Sequence, residues 1–412
     1  MSAVAGPRKV LPRLSSMKRK DRLSQAAANT RLAHIGNEPQ DFFGFINPPV
    51  VHASTVLFPR AELMLDRHNG TQKYVYGTKA TPTTDALTAA IDELEGSAGT
   101  VAVPSGLAAV ALPFLAFLGS GDHALVTDSV YTPTRRFCDT VLARFGVEVE
   151  YYDPLAGSGI AQRMRPNTRL VFTESPGSNT FEIQDIPAIA SAAHAAGAVV
   201  VMDNTWATPL YFSALAHGVD VCVHAATKYP GGHSDLVLGT VSANEKHWPR
   251  LRQTFLTLGI CAGPDDVYQV LRGLRSMGVR LERHRTSALE IAAWLKDRPQ
   301  IARVLHPALE TDSGHALWKR DFTGASGLFS IVLSGGGERR QFAFLDALEI
   351  FGLGYSWGGF ESLAVPVDLS DRTIAKGPYE GPIIRLQIGL EDVGDLKADL
   401  ERGLDAAQRV EE

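Results

Sequence analysis

An aspartate closing one apolar run and a lysine just past another set the chemistry open to this chain. Asp203 ends AVVVMD, and Lys228 follows VDVCVHA within ATKYPGGHSD. If both runs are strands of a parallel sheet, both side chains arrive at carboxyl ends, where such sheets bind ligands. Each alone has a plain reading. Asp203 equally suits a helix N-cap or a turn, and Lys228 suits an exposed structural lysine. Together they fit pyridoxal chemistry. That chemistry needs an amine for the cofactor aldehyde and a carboxylate that keeps the ring nitrogen protonated, so that the ring accepts the electrons of a Cα carbanion.

Further residues fit the same picture, each with an open alternative. Ser105-Gly106-Leu107 starts a helix directly after a short strand. Free N–H groups at a helix start hold phosphate, although the same dipeptide also makes ordinary turns. Tyr131 in DSVYTPT follows another strand end and suits either stacking on a flat ring or a place in the core. Arg385 lies inside the apolar IIRLQI and needs a partner. A substrate carboxylate gripped bidentately and an internal salt bridge satisfy that need equally. Cys138, Cys222 and Cys261 have no CxxC spacing and no nearby histidine cluster. This argues against a metal site or a disulfide framework and suits buried thiols in a reducing cytosol.

The elements that must carry these residues follow from periodicity. TTDALTAAIDELEG is an amphipathic helix ending at Gly96, and 105–118 is a second helix. HALVT is a strand, 134–145 a helix, and VEVEYY and RLVFTES are strands. A helix over 185–196 stops at Gly197, and AVVVMDN, VDVCVHA and VLGTVS complete the strands. Continuous apolar strands between helices predict an α/β fold with a mostly parallel sheet covered on both faces. From about residue 265 the pattern changes to a long helix to 296, LFSIVLS, a helix at 338–348, IIRLQIGL and a last helix at 392–408. This reads as a smaller α+β domain.

The chain has 412 residues, which suits two or three domains. Its net charge of -5 argues against nucleic acid and anionic membranes as partners. The run VAVPSGLAAVALPFLAFLG at 101–119 is no membrane span. Its apolar part after Gly106 makes about 18 Å of helix against the ~30 Å of a bilayer core. Residues 1–22 are basic, with Asp21 as the lone acid, and lack an apolar stretch. They read as a disordered tail, with Met17 as an alternative start.

The segments YGTKATPT, DSVYTPT, ESPGSNT, MDNTW, ATKYPGGHSD, RGLRSMGVRLERH, GYSWGGFESL and IIRLQIGLED together resemble the pyridoxal-phosphate-dependent family of cysteine and methionine metabolism, in its cystathionine β-lyase branch. The resemblance runs from about residue 24 to the C-terminus. It implies an aspartate aminotransferase-like fold. An arm over 23–80 would contact a neighbouring subunit. A pyridoxal-phosphate domain with a seven-stranded sheet would follow over 81–275, and an α+β domain over 276–412.

The resemblance also implies roles. Lys228 would bond the cofactor aldehyde and act as base, Asp203 would contact the ring nitrogen, and Tyr131 would stack on the ring and assist catalysis. Gly106, Leu107 and Thr227 would hold the phosphate region, joined by Tyr76 from a neighbouring subunit. Arg385 and Ser356 would bind the substrate carboxylate, with Trp357 beside them and Tyr268 lining the pocket. One departure stands out: the family's usual Tyr-Gly-Arg is Tyr76-Gly77-Thr78 here, with Lys79 adjacent as a substitute charge. The implied activity is β-cleavage of L-cystathionine to homocysteine, pyruvate and ammonia in methionine biosynthesis, by a cytoplasmic homotetramer. The alternatives are a γ-lyase or γ-synthase and a general cysteine-conjugate or cystine lyase. Trp357 resembles the β-lyases, since γ-enzymes commonly carry a leucine-type residue there.

Overall fold

The computed structural model describes residues 25–65 and 72–410. The expected basic tail and the alternative start at Met17 lie outside them.

The large sheet is built from β1 (Gly99–Val103), β2 (His123–Thr127), β3 (Glu148–Tyr152), β4 (Thr168–Glu174), β5 (Val199–Asp203), β6 (Val221–Ala225) and β7 (Gly239–Ala243). Its strand order is β1-β7-β6-β5-β4-β2-β3. β2, β3, β4, β5 and β6 pair in parallel, and β7 runs antiparallel to both β1 and β6. The runs of β-branched residues explain this sheet, since parallel strands are covered on both faces. Leu125, Val171, Val200 and Met202 pack toward one layer with Ile186 and Ile189. Val126, Phe172, Val201 and Val223 pack toward the other with Val110 and Phe114. Each such side chain contributes about 1.5–3 kcal/mol on burial.

The second sheet contains β8 (Ile301–Leu305), β9 (Leu328–Leu333), β10 (Gly352–Leu353), β11 (Leu363–Val367) and β12 (Ile383–Gln387), in the order β10-β11-β12-β9-β8. Phe329, Ile331, Ile384 and Leu386 of this sheet pack with Ile291, Leu295, Leu400 and Leu404. The long helix Pro264–Lys296 serves both units. Leu271, Leu274 and Met277 pack with Leu87 and Ile91, whereas Ile291 and Leu295 face the second sheet. The boundary expected at 275/276 falls within this helix.

Some elements differ from the sequence reading. The helix expected at 134–145 begins at Thr132, because Pro133 is preset for a first turn, and widens to a π-type turn at Cys138–Leu142. The helix Trp248–Leu258 and the strands β8 and β11 were not legible beforehand. The apolar run at 101–119 is divided between β1 and the helix Gly106–Phe117. Among the described residues no helix is long and apolar enough to cross a membrane.

Candidate active site

The sheet brings Asp203 and Lys228 together because β5 and β6 are adjacent and parallel, with Asp203 opposite Val223. Thr205 links the two strand ends. Its N–H and Oγ1–H donate to Asp203 Oδ1 at 3.0 and 2.5 Å, while its Oγ1 accepts from Ala225 N–H at 2.9 Å. Burial pushes the Asp203 carboxyl above its ordinary pKa, and the Thr205 hydrogen bonds oppose that shift. A cationic ring nitrogen set against Asp203 is the partner that such a buried carboxylate lacks.

Lys228 follows β6 in a turn closed by its own N–H to the Ala225 carbonyl at 3.0 Å. Burial, followed by the positive charge of Arg385, lowers its pKa to about 8. About a tenth of this amine is therefore uncharged at pH 7, far more than at the ordinary lysine value, which suits a nucleophile or base. Its Nζ donates to Ser356 Oγ at 2.6 Å and lies 5.3 Å from the Trp357 ring centre. The loop carrying both residues presses on the lysine. A Cβ at Gly358 (φ +80°) would sit 3.2 Å from Lys228 Cα and 3.0 Å from Tyr229 N. Trp357 in turn packs on Tyr229, with ring centres 5.7 Å apart.

The helix start at Gly106 lies against the same strand end. A Cβ there would meet Ala225 Cβ at 2.6 Å, so only glycine allows this approach. Ser105 caps the helix through Ala108 N–H at 3.1 Å. The N–H groups of Gly106 and Leu107 precede the intrahelical ladder and remain available to an anion. Thr227 lies near them, but its hydroxyl accepts from Leu238 N–H at 3.0 Å and donates to the Leu238 carbonyl at 3.2 Å. The amine of lowered pKa, the buried carboxylate and the glycine cradle together fit pyridoxal phosphate.

Tyr131 follows the end of β2, and its N–H donates to Glu174 Oε2 at 2.8 Å. The residue is 45% exposed, leaving a ring face open. Glu174 pairs in register with Asp203. Burial and the nearby Asp203 push its carboxyl well above the ordinary range. Sequence reasoning missed Glu174, although it opens the quoted ESPGSNT.

Arg385 lies on β12. Its Nη1 donates to Asn179 Oδ1 at 3.2 Å and its Nη2 to the Ser356 carbonyl at 3.4 Å. Among the described residues no carboxylate lies within ion-pair distance of it, which leaves its fork open to an anionic ligand. Burial lowers its pKa to about 10, so it remains a cation at neutral pH.

Two expected residues stand apart. Tyr268 lies on the long helix, with its charge interaction directed to Arg275. Tyr76 is 46% exposed in the arm and lies 3.4 Å from Ser54 Oγ through its hydroxyl. Within one chain neither is tied to Lys228 or Arg385. Of the three cysteines expected to be buried, Cys138 and Cys222 are, but Cys261 is exposed, which corrects that reading. Cys222 belongs to a side-chain cluster. Its Sγ lies 3.3 Å from His224 Nε2, and His224 hydrogen-bonds Glu95. These buried groups form a cluster with possible metal-ligand spacing. The sequence reading missed it because Glu95 comes from a distant helix and joins only through the fold.

Comparison with known proteins identifies the family. The chain is 67% identical over 96% of its length, and all of the relative's, to a putative cystathionine beta-lyase of Rhizobium johnstonii. It is 43% identical to cystathionine beta-lyase MetC of Escherichia coli, over 91% of this chain and 97% of that one. The crystal structure of metB from Corynebacterium glutamicum superposes with a TM-score of 0.86 at 32% identity, covering 93% of this chain and 99% of that one. The sequence profile of the Cys/Met metabolism PLP-dependent enzymes matches residues 29–405, and the chain belongs to that family.

Proposed function

We propose that the chain is a carbon–sulfur β-lyase that cleaves L-cystathionine to homocysteine, pyruvate and ammonia, as a step of methionine biosynthesis. The observation that carries this reading is the convergence of Lys228, Asp203 and an Arg385 with no carboxylate partner among the described residues. Pyridoxal phosphate, when bound, supplies an aldehyde for the substrate amine and an electron sink for Cα. Lys228, Asp203, Gly106, Leu107, Tyr131 and Thr227 are the residues of this chain that would hold it.

The chain's own groups then do the following. Arg385 grips the substrate α-carboxylate with its planar fork. Ser356 keeps Lys228 Nζ oriented, at 2.6 Å. Lys228 Nζ removes the Cα proton and delivers a proton to the departing sulfur. Asp203 would hold a protonated ring nitrogen, and Tyr131 would cover the ring. Trp357 is a bulky wall beside Arg385 and Lys228. It favours β- over γ-cleavage by crowding the longer path that a second proton removal at Cβ needs.

The expected assembly is a homotetramer, with Tyr76 reaching a neighbour's phosphate. Its support is the arm's exposed apolar surface, where Phe43 is 98% and Leu57 85% exposed in the single chain. A cytoplasmic location is supported by Cys138, Cys222 and Cys261 standing as free thiols.

Lys228→Ala tests the reading. It should fold, retain no covalent cofactor band and lose nearly all turnover, because one amine serves as anchor and base. Turnover near that of the parent protein in the purified variant would remove Lys228 from this role.

A further inference from the structure

The direction of Arg385 depends on Asn179, whose Oδ1 takes one edge of the fork at 3.2 Å. Asn179 has φ +67° and Phe181 φ +61°. Non-glycine residues rarely adopt such values, because Cβ crowds the backbone. Two of them within one turn require support from outside their own dihedral preferences. Part of it is local. Ser178 N–H donates to the Ser129 carbonyl at 2.8 Å, and Phe181 N–H to the Gly177 carbonyl at 3.0 Å.

The rest comes from the loop that joins β11 to β12. Arg372 in this loop is only 3% exposed. Its Nη1 donates to Thr180 Oγ1 at 2.7 Å, to the Ala375 carbonyl at 3.1 Å and toward Glu182 Oε1 at 3.3 Å. Its Nη2 donates to the Ser178 carbonyl. The fork thus grips both neighbours of Asn179. Its own loop is fixed in turn, since the buried Asp128 accepts from the N–H groups of Thr373, Ile374 and Ala375 at 3.0, 2.8 and 2.7 Å. A planar guanidinium can bridge Ser178 and Thr180 at once, which a lysine point charge cannot do.

We propose that Arg372 is a positioning residue for substrate carboxylate recognition, clamping Ser178 and Thr180 so that Asn179 aligns the Arg385 fork. It acts on substrate through Arg385 and touches neither substrate nor cofactor. The inference rests on the reading of Arg385 as the carboxylate anchor.

Steady-state kinetics of the cofactor-loaded enzyme test it, with L-alanine and its carboxylate-free counterpart ethylamine as competitive inhibitors. Arg372→Gln should raise KM for L-cystathionine and Ki for L-alanine about 10- to 100-fold, the size of a disturbed charge-assisted contact. Loss of uniform binding should keep kcat within about threefold, and Ki for ethylamine should not move. In an Arg385→Gln background the added effect of Arg372→Gln should fall below about twofold, because both act on one contact. Equal weakening of L-alanine and ethylamine would overturn the proposal, as would full additivity of the two substitutions. If Arg385→Gln leaves Ki for L-alanine unchanged, the anchor reading itself fails and takes the proposal with it. Thr180→Val removes one acceptor of the clamp at little cost in volume. It should show the same pattern at about 3- to 10-fold, which keeps the test decisive if Arg372→Gln does not fold.

Discussion

Lys228 Nζ donates to Ser356 Oγ at 2.6 Å, so an amine at the edge of the large sheet is held by a hydroxyl from the loop leading into β11. Ser356 has φ +103°, an unusual value for a residue with a side chain. The same residue offers its carbonyl to Arg385 at 3.4 Å. One strained loop therefore sets both the base and the carboxylate anchor.

Ser356→Ala keeps the loop's backbone but frees the amine. Turnover should fall roughly 10-fold, the lower end expected for a hydrogen bond to a charged group. Cofactor affinity should change far less. Single-turnover rates beside an equilibrium cofactor titration check both parts.

Recovery of activity from cofactor-free protein should depend on the Lys228 amine being neutral. With its pKa lowered to about 8 by burial and Arg385, the reconstitution rate should rise with pH up to about 8 and then level. Stopped addition of pyridoxal phosphate, followed by absorbance across pH, measures this. A midpoint near the ordinary lysine value would mean that the amine is not desolvated.

Asp203 and Lys228 were legible in the sequence because strand ends leave a local trace: an apolar run that stops at a polar residue. The sheet was legible for the same reason, since β5 and β6 are nearly all apolar and β4 carries an apolar centre, Leu170-Val171-Phe172. What stayed hidden depends on contacts far apart in the chain. Arg372 reaches Thr180 and Ser178, and Glu95 reaches His224. Asn179 was hidden for another reason: its left-handed backbone has no glycine to announce it. For Arg385 the sequence left a salt bridge and a substrate carboxylate equally open, and the absence of a carboxylate beside it among the described residues favours the latter.

Acid should destabilise the fold through two buried histidines. His284 and His306 have pKa values lowered to about 4 by burial. Above pH ~6.5 both are neutral whether folded or unfolded, and they contribute no pH dependence. Between about 6.5 and 4 the unfolded chain binds protons that the folded chain refuses, so stability falls by up to about 1.4 kcal/mol per pH unit for each histidine. Below about 4 the dependence from these groups levels off. Denaturant titrations of the parent protein and His306→Gln over this range should show a shallower slope in the variant.

The arm raises a separate question of cofactor affinity. By resemblance, Thr78 stands where an arginine is usual, and both Thr78 and Lys79 are exposed in the single chain. If Lys79 supplies the cross-subunit charge, Lys79→Ala should weaken cofactor binding about 10- to 150-fold, the equivalent of about 1.5–3 kcal/mol. Thr78→Arg should tighten it. Equilibrium titration of both variants is the check, and no movement in either would remove the segment from the phosphate site.

β-Cleavage at this site is decided by product identity. Purified enzyme loaded with pyridoxal phosphate is given L-cystathionine, and the released oxo acid and thiol are identified and counted. Pyruvate and homocysteine should appear in equal amounts, with neither formed by Lys228→Ala. Release of 2-oxobutyrate with cysteine as the main products would contradict it and assign the site to γ-cleavage.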